Sequence, residues 1–263
     1  MSRARDLADS ADKDIVGTIT VDGLTVAGNV SADGGTIKLD GNYPTGTGNV
    51  ALGNTALDSL TSGTYNTAIG ANAGTAITTG FNNTVVGGLA LDAQTTGDYN
   101  VAVGTLALSG DTTGNKATGV GYGALAAQNF TSNEDTFNTG VGYSAGSAIT
   151  TGTQNTFIGG LSGDGNTTGY SNTALGYFSL TGACTGYDNT AVGRSALQSN
   201  TSGTLNVGLG GVTLQTNQTS SRNVAVGYAA LQTFNKSGNG YNVAVGFDAG
   251  NQVTTGIKNT FIG

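Results

Sequence analysis

The one glutamate of this 263-residue chain, Glu134, stands beside Asp135. A glycoside hydrolase needs two carboxylates facing one cleft. The other acids of the same region, Asp58, Asp92, Asp98, Asp111, Asp164, Asp188 and Asp248, are scattered through turns. Adjacent acids in a surface loop serve solvation far more often than catalysis, so no carboxylate pair is assigned a catalytic role. Histidine is absent, which excludes His-dependent triads and His metal sites. Cys184 sits where related positions carry Thr or Ser, and reads as a small packed side chain rather than a nucleophile. Strings such as Gly119-Val120-Gly121 lack the following helix of a phosphate loop. Calcium-binding nonapeptide repeats would need an Asp in every unit, and these units lack it. The expectation is a chain with no catalytic residues, no metal and no cofactor.

The residues that could still touch a ligand are aromatic. Phe130, Phe137, Phe234 and Tyr241 fall in two irregular stretches, Gln128–Phe137 and Thr233–Tyr241. Insertions in repeat folds map to surface loops, frequently on a binding face. There these rings would stack on sugars of a host polysaccharide; alternatively they cover an apolar gap between coils or chains.

Those stretches are irregular against a strict background. From residue 49 the motif Asn-x-x-aliphatic-Gly recurs thirteen times, at Asn49, Asn66, Asn83, Asn100, Asn138, Asn155, Asn172, Asn189, Asn206, Asn223, Asn242 and Asn259, with Ala117 replacing Asn once. Steps are seventeen residues except for twenty-one after Ala117 and nineteen after Asn223. A short fixed period means one supersecondary unit stacked on its own copies. With the Asn as position zero, +1 is Thr or Val, +3 is Leu, Ile or Val, and +4 is Gly in every unit. β-Branched residues two apart suit an extended segment. The reading is an all-β parallel β-solenoid (β-roll) of about thirteen coils, each two short strands joined by glycine turns. At a strand spacing of about 4.8 Å the array would be roughly 60 Å long. Equivalent Asn side chains would form a structural ladder between coils.

Two burial assignments follow from this pattern. Positions +1 and +3 are expected to fill the interior. Position +2, Ala or Gly in ten units, is expected to meet another copy of the chain.

Outside the array, residues 1–14 are densely charged and read as a short helix or tail for attachment to a partner. Residues 15–48 read as short strands between Asp-Gly turns. There are 46 Gly but a single Pro, which excludes collagen and proline-rich disorder. The net charge of −7, without clustered Lys or Arg, disfavours nucleic acid and anionic membranes. The opening residues lack the apolar stretch of a secretory signal, and no run of about 18 apolar residues could insert in a bilayer.

The unit N-[TV]-A-[IV]-G-x-x-A-[LG] resembles the head repeats of trimeric autotransporter adhesins, whose related motif builds a parallel β-roll in homotrimers. The period there is typically fourteen, and that family's signal peptide, stalk and membrane anchor have no counterpart here. The opening MSRARDLADSA, the segment DGLTVAGNVSADGGTIKLDGN and the arrays of NTAIGxxAGxxxTTG also resemble tail fibres and related virion proteins of marine bacteriophages. That resemblance implies a homotrimeric structural fibre of the virion. Its N-terminal region would bind other virion proteins, while the array projects outward and supports attachment to the host surface. A bacterial surface adhesin and a glycan-binding module are the alternatives. Ice binding by the Thr ladders at +12 and +13 is a weaker one, because Cys184, Gln218 and Asn235 interrupt the ladder.

Overall fold

A computed structural model of the protein describes residues 46–263. The tail or helix expected over 1–14, and all but the end of the strand segment expected over 15–48, lie outside the described residues.

The array is a parallel β-solenoid. Thirteen three-residue strands, from Val50–Leu52 to Thr260–Ile262, form one sheet in chain order. Every neighbouring pair is in register, so that Thr67 faces Thr84 and Ala68 faces Val85. The two longer repeats keep this register, pairing Val120 with Val141 and Val226 with Val245. Among the described residues only one further pair of strands occurs, Ser220–Ser221 with Gly238–Asn239.

Each coil therefore contributes one strand to the stack, not the two expected. The rest is a chain of corners. Thirty-one non-glycine residues have positive φ, and all of them fall at −1, +6 or +8. For an L-residue this left-handed conformation costs roughly 1–2 kcal/mol, so stacking must impose it. Backbone bonds between coils do so: Leu57 N–H donates to Ala73 at 3.1 Å and Leu91 N–H to Ala107 at 2.9 Å. Leu and Gly both occur at +8, and both occupy a left-handed corner there.

The two burial assignments are reversed. Within the strands +2 points inward: eleven of the thirteen +2 residues are buried, and Ala51 and Phe261 at the two ends are half-buried. No +1 or +3 residue is buried. The physical reason is the thinness of the coil. Its interior is filled by +7 and +8 of the corners and by +11, so little room remains opposite the strand. A Cβ on Gly140 would stand 2.8 Å from Cγ of Leu125, and one on Gly119 would stand 3.2 Å from Cγ of Leu108. Small residues at +2 make room for leucine at +8, not for a partner chain.

The Asn ladder is present. Asn66 N–H donates to Asn49 Oδ1 at 2.8 Å, and Asn66 Nδ2 donates to Gly80 O at 2.8 Å. Each amide thus ties one coil to the next and closes its own corner. At Ala117 the N–H still bonds to Asn100 Oδ1 (2.8 Å), but no amide follows. Two groups replace the missing amide: Thr136 Oγ1 accepts from Asn138 N–H at 3.4 Å and Gln128 Oε1 from Asn138 Nδ2 at 2.9 Å.

Candidate functional site

Of the four aromatic candidates, the structure buries two. Phe234 is 0% exposed at +11 of its coil, and Phe130 is 4% exposed. Neither presents a ring face to a sugar; both fill the coil. Phe137 and Tyr241 are about half exposed, at 49% and 48%. They share position −1 but lie six coils apart, about 29 Å at the sheet spacing, so one sugar ring cannot touch both.

Each of these two rings has a cation from the preceding coil beside it. Lys116 Nζ lies 5.3 Å from the Phe137 centroid and the Arg222 guanidinium 5.7 Å from that of Tyr241. The insertions themselves fold back onto earlier coils. Thr113 Oγ1 donates to Phe130 O at 2.7 Å and Thr96 Oγ1 to Asn133 Oδ1 at 2.8 Å. Arg222 Nη1 donates to Asn239 Oδ1 at 2.6 Å in the second insertion. These segments repair the stack where the period fails.

The carboxylates are likewise engaged in structure. Asp135 pairs with Lys116 at 2.5 Å, and Glu134 accepts from Ser132 Oγ at 2.9 Å. Asp111 is buried at +11, where Gly114 N–H and Gln128 Nε2 donate to it at 3.0 and 2.6 Å. Desolvation pushes its carboxyl above the usual range, against the lowering effect of those bonds. Cys184 is buried and its thiol is pushed up to about 11 by desolvation, as befits a packed side chain. Among the described residues no group of three or more His, Cys, Asp or Glu gathers.

The hydroxyl ladder at +12 is turned to the protein. Thr78 Oγ1 donates to Thr95 O and Thr95 Oγ1 to Thr112 O, each at 3.0 Å. Those protons are not offered to an ordered water lattice.

What sequence reasoning missed is the outward strand face and its borders. Positions +1 and +3 line it, and aromatic residues flank it in sequence on both sides. At +5 Tyr122 stacks on Tyr143 at 5.4 Å and Tyr228 on Phe247 at 5.5 Å. At −2 Tyr170 stacks on Tyr187 at 4.8 Å. The signal was available as columns of Tyr and Phe at fixed offsets from the Asn. These columns are incomplete, since +5 and −2 carry aromatic residues in only some coils, so they stand out less than the invariant Asn and Gly. No known family model matches this chain, and neither a curated protein nor a solved structure is similar to it.

Proposed function

We propose that the protein is a structural fibre of a bacteriophage virion, homotrimeric, projecting from the particle and supporting attachment to the host surface. The supporting observation is the uninterrupted register of thirteen strands, maintained even across the two insertions. Such a stack has one use everywhere along its length: to hold distance and present a repeated surface. The structural engagement of Asp111, Glu134 and Asp135, the burial of Cys184 and the structural Asn ladder support this reading over a catalytic one. On this reading residues 1–14 attach to other virion proteins, as the resemblance of the opening segment implies.

Immunogold microscopy with antibody against the array tests the proposal. Gold on appendages of virus particles from an infected culture is the expected result; gold confined to uninfected cell surfaces would favour the adhesin reading. A glycan-binding role has one favourable observation, the exposure of Phe137 and Tyr241. It predicts glycan-array binding that disappears in Phe137→Ala and Tyr241→Ala.

A further inference from the structure

The sheet turns one face outward over its whole length, and one of its two columns is wholly aliphatic. At +3 it carries only Leu, Ile and Val, and at +1 only Thr and Val. Leu52, Ile69, Ile158, Leu175, Leu209 and Val245 are 37–45% exposed, a high value for aliphatic side chains packed beside identical neighbours. No charged residue stands at any position from 0 to +4 in any of the thirteen coils.

In size this face stands at the upper end of ordinary apolar surface patches. Three extended residues by thirteen strands make a strip about 10 Å wide and 60 Å long, roughly 600 Å² for the strands alone. Apolar patches on monomeric proteins are typically no larger than about 300–600 Å². Bordering residues such as Tyr122, Tyr143, Tyr228 and Phe247 widen the strip toward the roughly 800 Å² that each partner of a stable complex buries. Tyr and Phe are enriched in such interfaces.

The occupant is narrowed by periodicity and charge. A partner that covers the strip throughout must match a step of about 4.8 Å over about 60 Å. A second copy of this chain has that step and that length. Copies of a chain with net charge −7 would repel if their acids met. The acids at +9, Asp58, Asp92 and Asp164, are four or more residues removed in sequence from every strand position. At the −1 border, Lys116, Arg222 and Lys258 stand against the single acid Asp188. Asp98 at −2, Asp135 at −3 and Asp248 at +6 are the other acids near the strip, and Asp135 is paired with Lys116, so few carboxylates would oppose one another when the strip closes on a second copy.

We propose that copies of this chain associate through the +1/+3 strand face, with the +3 aliphatic column as the buried seam. The inference rests on the reading of the chain as a self-associating fibre and specifies which surface joins the copies.

Sedimentation equilibrium of the full chain tests it with two triple variants. Val103→Lys/Ile158→Lys/Leu209→Lys charges the seam; Thr79→Lys/Thr151→Lys/Thr219→Lys charges the +13 column. The expected masses are a multiple of 25.9 kDa for the wild type and the +13 variant, and 25.9 kDa for the seam variant. A wild type of 25.9 kDa overturns both this inference and the self-associating fibre. That includes the case in which residues 1–45 of the same chain cover the face. A multimeric wild type whose mass the seam variant keeps overturns the face alone. Should the seam variant fail to fold, Ile158→Cys replaces it. This position is in the middle coil, so copies aligned in either direction bring it together. Copper–phenanthroline oxidation is expected to link Ile158→Cys chains in pairs and to leave Thr168→Cys chains single. The opposite pattern, or no link in a multimeric Ile158→Cys protein, overturns the proposal.

Discussion

A methyl group added to Gly146 would stand 2.7 Å from Cδ2 of Phe157, the largest side chain at a +2 position that is fully buried. Gly163, one coil on, meets the other edge of the same ring. Most coils pair Leu at +8 with Ala or Gly at +2; here, as where Gly74 precedes Val85 and Gly250 precedes Phe261, the volumes are exchanged between the two sides of the coil. Left-handed geometry is not what demands glycine. Leu125 and Leu180 hold φ of 54° and 52° at the same position, against 61° for both glycines. The ring demands it.

Exchange of volume predicts compensation. Phe157→Ala should cost about 3–5 kcal/mol by leaving a cavity, and Gly163→Leu alone about 1–3 kcal/mol by overpacking. Combined, the two restore the pattern of the leucine coils. Urea unfolding should show the double variant more stable than the sum of the single losses by at least about 1 kcal/mol. Strict additivity would contradict this packing.

Removal of one rung should be costly. Asn172 accepts from Asn189 N–H at 3.0 Å and donates to Gly186 O at 2.9 Å, all buried. Asn172→Ala leaves Asn189 N–H without its acceptor, at about 1–3 kcal/mol, and leaves Gly186 O with only the weak Cys184 thiol donor. Thr168→Ala, on the outward side of the same corner, should change stability by no more than about 0.5 kcal/mol. Equal urea midpoints for the two variants would mean that the ladder bears no load.

Stability should fall as pH rises from acid. Burial raises the carboxyl of Asp111, and partial burial raises Asp92, Asp98 and Asp164. The folded array then holds protons that the unfolded chain has released, above the ordinary carboxylate value of 3.8. Under that condition stability decreases with pH until the folded-state groups have titrated. Asp111→Asn puts at this corner the amide that Asn200 and Asn217 supply in other coils, where Gly203 N–H and Ser220 N–H donate to it. The variant should show a flatter pH dependence of its melting temperature and the larger gain near neutral pH. A profile parallel to that of the wild type would contradict the assignment.

Cys184 should resist modification. With the side chain buried and the thiol near 11, iodoacetamide at pH 8 should label it only after unfolding. Labelling of the native protein at the rate of a free thiol would show that the coil at Ala183 opens.

Legibility divides along physical lines. Period and invariant residues reveal the solenoid, because Asn and Gly act through backbone bonds that recur in every coil. Facing is hidden. A small residue at +2 is compatible with a close external partner and with a crowded interior, and only the positions of Leu125 and Leu108 decide between them. Left-handed corners at residues such as Leu57 and Val212 are also hidden, since neither residue type favours φ near 52°. The stack imposes it. Phe130 and Phe234 were misplaced for a related reason: an insertion displaces the chain, yet the coil still needs its +11 or +13 filler.

A density map of the intact protein in cross-section tests the central claim most directly. The account predicts three coils around an axis, strands about 4.8 Å apart along it, with the column from Leu52 to Ile262 facing that axis. A solitary coil in section, or copies joined through any other face, would contradict it.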